Sequence, residues 1–317
     1  PHEADQHADL GAGELLRAAE HTEPELRPLY DVEGTPVFEE QVLDHLDGYR
    51  GSRPVRTGNA AGHQLQLDCF GDIADTAYEY VRWEHARLTP EQQDVLRTTG
   101  ETVCERWREP DEGIWEIRAN PAHHTYSKVM CWVTLDRLVR LHENGVLEVP
   151  VERFRETRDE IRTAIERHGF NTEIDSYTDV FGGDQVDASL LHLSTYGYTE
   201  ATAPRMLATF ACIEQRLSDG VLLYRYQHDR NDGLPPGEGA FGLCSFWEDE
   251  YLVRIGRLTE ARMRFEGMLS YANDVGLFAE EVDADTGEAL GNFPQGFTHI
   301  GLINTAVLLG EAAGRRE

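Results

Sequence analysis

The segment Glu109-Pro110-Asp111-Glu112-Gly113-Ile114-Trp115-Glu116-Ile117-Arg118, read with its flanks, decides the fold. Upstream, Thr89-Pro90-Glu91 opens an apolar pattern of helical period over 89–108. Downstream the same period runs over 124–143 and then, past Gly145 and the start signal at Pro150, over 150–168. A long loop rich in carboxylates and aromatic residues is thus followed by a helix, a short connection and a second helix. The alternation repeats. Further helices are expected over 6–20, 62–84, 185–194, 200–217, 238–256, 258–274 and 296–311. Long connections at 44–61, 109–123, 170–184, 219–238 and 275–296 alternate with short ones. Strand period is nearly absent, Val221-Leu222-Leu223-Tyr224-Arg225-Tyr226 being a short strand at best. Paired helices with every second connection elaborated describe an all-α chain, an α/α barrel with its elaborate loops at one end, where such scaffolds build sites. A plain solenoid of helix pairs has no need of acidic and aromatic residues in every long loop. One domain over 1–317 is expected.

Composition narrows the function. The 317 residues include 58 acidic and 29 basic side chains, a net charge of −29, and Lys128 is the single lysine. With no basic stripe to neutralise phosphates, nucleic acid is excluded as a partner. No apolar run reaches the roughly 18–20 residues that span a bilayer, and Pro1-His2-Glu3-Ala4-Asp5 does not read as a signal peptide. A soluble, cytoplasmic chain is expected, with no membrane partner. Dense carboxylates with almost no lysine fit a protein that works in concentrated salt, where hydration is kept and self-repulsion is screened. Cys69, Cys104, Cys131, Cys212 and Cys244 stand singly and far apart, as reduced thiols on apolar helix faces do. Neither they nor His123-His124 form a ligand set, and Asp283-Ala284-Asp285-Thr286-Gly287-Glu288 has its glycine one place too early for a calcium loop. No metal and no cofactor is expected.

Two segments carry chemistry. Gly113-Ile114-Trp115-Glu116-Ile117-Arg118 and Gly276-Leu277-Phe278-Ala279-Glu280-Glu281 each set a carboxylate beside a large apolar side chain, just before a helix. An indole next to Glu116 excludes water and favours the protonated acid, whereas a loop carboxylate paired with Arg118 is the plain alternative. Glu280 and Glu281 are adjacent, so in extended backbone only one of them faces a given site. A reaction that protonates a leaving group and activates a water needs two such carboxyls in unlike environments.

In these loops the chain resembles glycoside hydrolase family 15, the glucoamylase and trehalase-like enzymes. The resemblance lies in residues 48–61, in Gly113–Arg118, in Thr125-Tyr126-Ser127-Lys128, in Gly239-Ala240-Phe241 with Cys244-Ser245-Phe246-Trp247, and in Ala279-Glu280-Glu281 with Gly291-Asn292-Phe293-Pro294-Gln295. It covers about residues 8 to 311 and implies an (α/α)6 barrel lacking its first two helices. Family members carry a β-sandwich domain and two more helices upstream, with an Arg-Asp pair that holds the terminal sugar. A C-terminal portion is therefore expected, with an N-terminal domain or a separate chain as the supplier of the missing helices. The resemblance implies Glu116 as general acid and Glu280 as general base, with inversion at the anomeric carbon. Such a pair sits about 6.5–9.5 Å apart to leave room for a water.

Tyr49, Arg53, Trp115, Arg225 and Glu281 are candidate substrate contacts. Guanidinium forks and tyrosine hydroxyls grip vicinal hydroxyls, and aromatic faces stack on pyranose rings. Arg225 falls where the family has a substrate-contacting arginine. Arg53 and Arg225 could equally neutralise an acidic mouth. The substrate expected is an oligosaccharide or disaccharide: an exo-acting, glucoamylase-like α-glucosidase first, a trehalase as the alternative, and a non-catalytic carbohydrate-binding or assembly partner third. The salt reading predicts that the unfolding temperature, followed by circular dichroism, rises from low to molar salt; a flat response removes it.

Overall fold

The computed structural model describes residues 26–30, 39–51, 53–84, 86–227 and 238–314, so the helix expected over 6–20 lies outside the described residues. The chain divides into two compact units, residues 1–165 and 166–317.

In the first unit a two-stranded ribbon, β1 (Gln41–Val42) and β2 (Arg56–Thr57), precedes four helices: α1 (Asp68–Glu84), α2 (Pro90–Arg106), α3 (Thr125–Glu143) and α4 (Val151–Ala164). Thr89 caps α2 in a reciprocal box: its hydroxyl accepts from Gln92 N, and the Gln92 side chain accepts from Thr89 N. Helix α3 packs against α1, α2 and α4 and is buried on all sides from Thr125 to Val139. Its charged residues are paired accordingly. Asp136 accepts from Arg137 at 2.9 Å and Arg140 at 2.7 Å and faces Arg158 at 3.4 Å, while Arg137 also reaches Asp75 at 2.6 Å. Helix α1 starts later than the periodicity suggests, after a separate turn at Ala60–His63. The reason is local. Leu65 N and Leu67 N donate to Glu112 Oε2 and Asp111 Oδ2, carboxylates of the following long loop, before the helix can use them.

The second unit mixes helices with short antiparallel pairings. Its elements are β3 (Phe170–Asn171), β4 (Ser176–Tyr177), α5 (His192–Thr195), α6 (Pro204–Leu217), β5 (Ser218–Asp219), β6 (Leu222–Leu223), β7 (Ala240–Phe241), α7 (Gly242–Arg254), α8 (Leu258–Met268), β8 (Glu281–Val282), β9 (Ala289–Leu290) and α9 (Gly296–Gly314). Two expected helices shrink. The one over 185–194 is a turn at Ala188–Leu191, capped by Asp187, that runs into α5. The one over 238–256 gives up its first residues to β7, which pairs Ala240 with Val282 and Phe241 with Glu281. Strand β8 pairs in turn with β9, so the sheet order is β7-β8-β9. Leu222, Ala240, Phe246, Met268, Phe278 and Val282 form the core beneath it. Four of the five cysteines are buried, and all five are free thiols. No described helix is long and apolar enough to cross a membrane.

Helix α7 packs against α8 and α9 and buries three consecutive carboxyls, Glu248, Asp249 and Glu250. Arg264 of α8 donates to Glu248, to Asp249 Oδ1 at 3.3 Å and to Gly220 O at 2.7 Å, and Ser218 Oγ adds a bond to Glu248 at 3.1 Å. Asp249 Oδ2 is buried with no hydrogen-bond partner. One guanidinium serves two carboxyls here, and burial pushes Asp249 up to about 8 and Glu248 up to about 7, with Arg264 opposing. A carboxyl whose folded pKa is raised holds its proton in the native state and releases it on unfolding, so its contribution to stability is lost as pH rises. The Asp249 contribution to stability should therefore fall from about pH 4 and level off past about pH 8, given an ordinary aspartate pKa of about 3.9. The urea midpoint of Asp249→Asn should fall less steeply over that window than that of the wild type; equal slopes would remove Asp249 as a proton holder.

Candidate active site

In the first unit, the loop between α2 and α3 is closed at its base by Asp111 and Ala122, whose main chains exchange both hydrogen bonds at 2.9 Å. Within it Gly113 has φ +71°, and a Cβ there would lie 2.8 Å from the His124 ring, so only glycine fits. Three residues on, Glu116 itself has φ +53°. A non-glycine residue in the left-handed region is strained and persists only where its surroundings over-determine it. Here they do. Glu116 N donates to Gly113 O at 3.2 Å, and Glu116 O and Ile117 O both accept from Gln64 Nε2 at 3.2 Å. The side chain is fixed as well: Asn59 Nδ2 donates to Glu116 Oε2 at 2.8 Å, while Asn59 Oδ1 caps the turn through Ala61 N.

The plain alternative for Glu116 is not what the structure shows. Arg118 points to Glu40, at 2.8 Å, and Arg56 approaches the same carboxylate at 3.4 Å. Trp115 is half-buried directly before Glu116. Of the two candidates on the loop that carries Asn59, Tyr49 is 72% exposed, and Arg53 is engaged by Asp47 and by Asp44 O at 3.4 Å. Arg53 thus pairs with one carboxylate, that of Asp47, and with the main chain at Asp44. Asn59 and Gln64 are the contacts that sequence reading passed over. Asn59 stood inside a segment already noted, but nothing in its spacing said that its amide would meet a carboxylate 57 positions on.

The second unit sets its pair of carboxylates on either side of β8. Glu280 N donates to Asn292 O and Glu280 O accepts from Gly242 N, both at 2.9 Å, so the residue is stitched to two neighbours. Its Oε2 accepts from Asn292 N at 2.8 Å. Gly291, at φ +69°, makes room: a Cβ there would lie 2.7 Å from that same oxygen. Glu281, next along the strand, turns to the other neighbour and accepts from Gly239 N at 3.0 Å. The extended backbone has separated the doublet as its period requires.

Glu281 also lies 3.5 Å from Arg225, which forms a shorter ion pair with Glu238. Tyr226 Oη donates to Glu238 Oε2 at 3.3 Å, and the Arg225 guanidinium lies over the Phe241 ring at 5.0 Å and the Tyr226 ring at 5.4 Å. Burial pushes Glu281 up to about 7; Arg225 and the Gly239 N–H oppose it, and Glu238 and Glu280 add to it. Burial also works against the Arg225 charge, but Tyr226, Glu238 and Glu281 more than offset it and raise its pKa. Arg225, Glu238 and Glu281 thus form one half-buried cluster. Glu280 stands outside it, tied to the β8–β9 return.

A model of the family described as Glycosyl hydrolases family 15 matches residues 5–307. Among curated proteins, a trehalase of Mycobacterium tuberculosis is 40% identical over 283 residues, which cover 89% of this chain and 41% of that protein. A trehalase of Thermoplasma volcanium is 36% identical over 292 residues, covering 92% and 46%. The chain spans less than half the length of both. Among solved structures, a glycosidase variant in complex with glucose superposes with a TM-score of 0.70 at 16% identity, over 96% of this chain and 81% of that one. A bacterial glucoamylase complexed with acarbose gives 0.64 at 16% identity, over 78% and 41%. Likeness of this kind establishes the fold, the mostly helical (α/α)6 class.

Gly291→Ala should displace the Glu280 carboxylate and cost about 1–3 kcal/mol for the strained backbone. Gly276→Ala, at φ +81° with open space around it, shares the strain but not the collision. Urea unfolding should show the loss from backbone strain in both, and only in Gly291→Ala should the carboxyl resonance of Glu280, followed by NMR, move as well.

Proposed function

The chain belongs to glycosyl hydrolases family 15, and we propose that it hydrolyses the α,α-linkage of trehalose with inversion at the attacked carbon. The observation that carries the substrate is the sequence identity, 40% and 36%, to relatives named trehalase. The glucoamylase-like reading, first in order from the sequence, now stands second. Its support is likeness to glucoamylase structures at 16% identity, which speaks for fold alone.

In this reading residues 1–317 act as one catalytic domain, suited to concentrated salt. Glu116 is the general acid. Its carboxyl proton goes to the glycosidic oxygen as the bond to the anomeric carbon breaks, and the departing glucose leaves with that oxygen as a hydroxyl. Glu280 is the general base. It takes a proton from a water that attacks the anomeric carbon on the face opposite the leaving group. The attacked sugar is released as β-glucose, and the leaving sugar keeps its α configuration. The strain at Glu116 supports the assignment, since strained backbone is found preferentially at active sites, although Asp175 shares a similar φ elsewhere. Arg225, braced by Glu238 and Glu281, grips sugar hydroxyls through its fork. Trp115 and Tyr49 offer aromatic faces, and Arg53 lends charge at the rim.

Trehalose and maltooligosaccharides supplied separately, with products followed by proton NMR, test the reading. Trehalose should be consumed faster and give equal initial amounts of α- and β-glucose; preference for maltooligosaccharides would restore the glucoamylase-like reading. Release of α-glucose alone would overturn inversion. Glu116→Gln and Glu280→Gln should each lower kcat by about 10²–10⁴-fold with unchanged circular dichroism. Turnover near the wild-type rate in either would reassign the pair.

A further inference from the structure

Behind the Glu116 loop lies a buried ion pair that the proposed reaction leaves unused. Lys128 of α3 is the only lysine in a chain whose other basic side chains are all arginine, and it is fully buried. Its ammonium donates to Glu109 O at 2.5 Å and lies 3.7 Å from Asp111 Oδ1. Asp111, also fully buried, spends its other oxygen on two main-chain donors: Leu67 N at 3.2 Å and Gly113 N at 3.3 Å. Gly113 in turn supplies the carbonyl that Glu116 N binds. One continuous set of contacts therefore runs from the Lys128 ammonium through Asp111 and Gly113 to the left-handed residue at 116.

We propose that Lys128 and Asp111 are positioning residues for the general acid: their ion pair clamps the 109–117 loop and so holds Glu116 in its strained conformation. The inference rests on the assignment of Glu116 as the acid. Its physical basis is that strained backbone must be over-determined by its surroundings. Hydrogen bonds from neutral groups restrain the tip of the loop, whereas the base is held by charge in a water-excluded site, where such contacts are strongest. The residue type also fits. An ammonium is a compact point charge, here hydrogen-bonded to the Glu109 carbonyl and paired at longer range with the Asp111 carboxylate, a geometry that a planar, forked guanidinium does not reproduce. The abundance of arginine elsewhere makes the one lysine informative, since the composition otherwise favours arginine for every charge.

The test separates positioning of the acid from support of the fold. Hydrolysis of α-glucosyl fluoride releases fluoride, which needs no proton from an enzyme acid, whereas trehalose needs one. Asp111→Asn, Lys128→Met and the double variant Asp111→Asn/Lys128→Met are compared with Glu116→Gln on both substrates. The double variant leaves no unpaired buried charge, which keeps it folded where a single variant fails. Positioning predicts that kcat on trehalose falls about 10–100-fold at similar KM, while the rate on the fluoride stays within about threefold of wild type. Equal losses on both substrates, or no loss on either, would overturn the inference. If Glu116→Gln itself fails to spare the fluoride selectively, the acid assignment falls instead; a selective effect in Glu116→Gln without one in the clamp variants sinks the clamp alone.

Discussion

Polar groups taken out of water must find partners inside the protein, and that constraint shapes both carboxylate-bearing segments. The loop from Glu109 to Ala122 runs beside a helix buried on every side, so its amides and carbonyls cannot rely on solvent. Asp111 and Glu112 accept the N–H groups of Leu67 and Leu65, Gln64 serves two carbonyls, and Lys128 serves a third. The start of α1 is delayed by this traffic. What looks like a late helix boundary is the cost of holding a carboxylate at a fixed angle.

The second unit reaches a comparable result by different means. Strand pairing on both sides of β8 satisfies the main chain and sends Glu280 and Glu281 in opposite directions. One carboxylate joins a cluster with Arg225 and Glu238, and the other meets a single amide beside a glycine that leaves it space. Adjacent residues of identical chemistry thereby acquire unlike surroundings, which leaves Glu280 outside the ion-paired cluster that holds Glu281.

Much of the helical scaffold was legible because helical period accumulates over many residues, as in 90–106 and 125–143, where caps and glycine stops agree with the apolar pattern. The two-residue strands were not, since each is too short to show alternation and β7 meets β8 from a distant position in the chain. The short turn-and-helix at 188–195 misled for the related reason that a brief apolar run has no distinguishing period. At the site, residue type and neighbours drew attention to Glu116, Glu280, Glu281 and Arg225. Backbone sign could not be read at all: a glycine at 113 suggests a turn, but a glutamate at 116 gives no hint of φ +53°. Asn59 and Gln64 matter because of that conformation, and so stayed hidden with it.

The sheet that carries Glu280 joins chain segments from opposite ends of the α7–α8 pair. Each of its strands is only two residues long, so the pairing gains little until the intervening helices have closed the distance. During renaturation, helices should therefore regain their ellipticity early, and this ribbon should settle late. A chain caught between those stages would look almost native by spectroscopy while its last carboxylate still lacked an address.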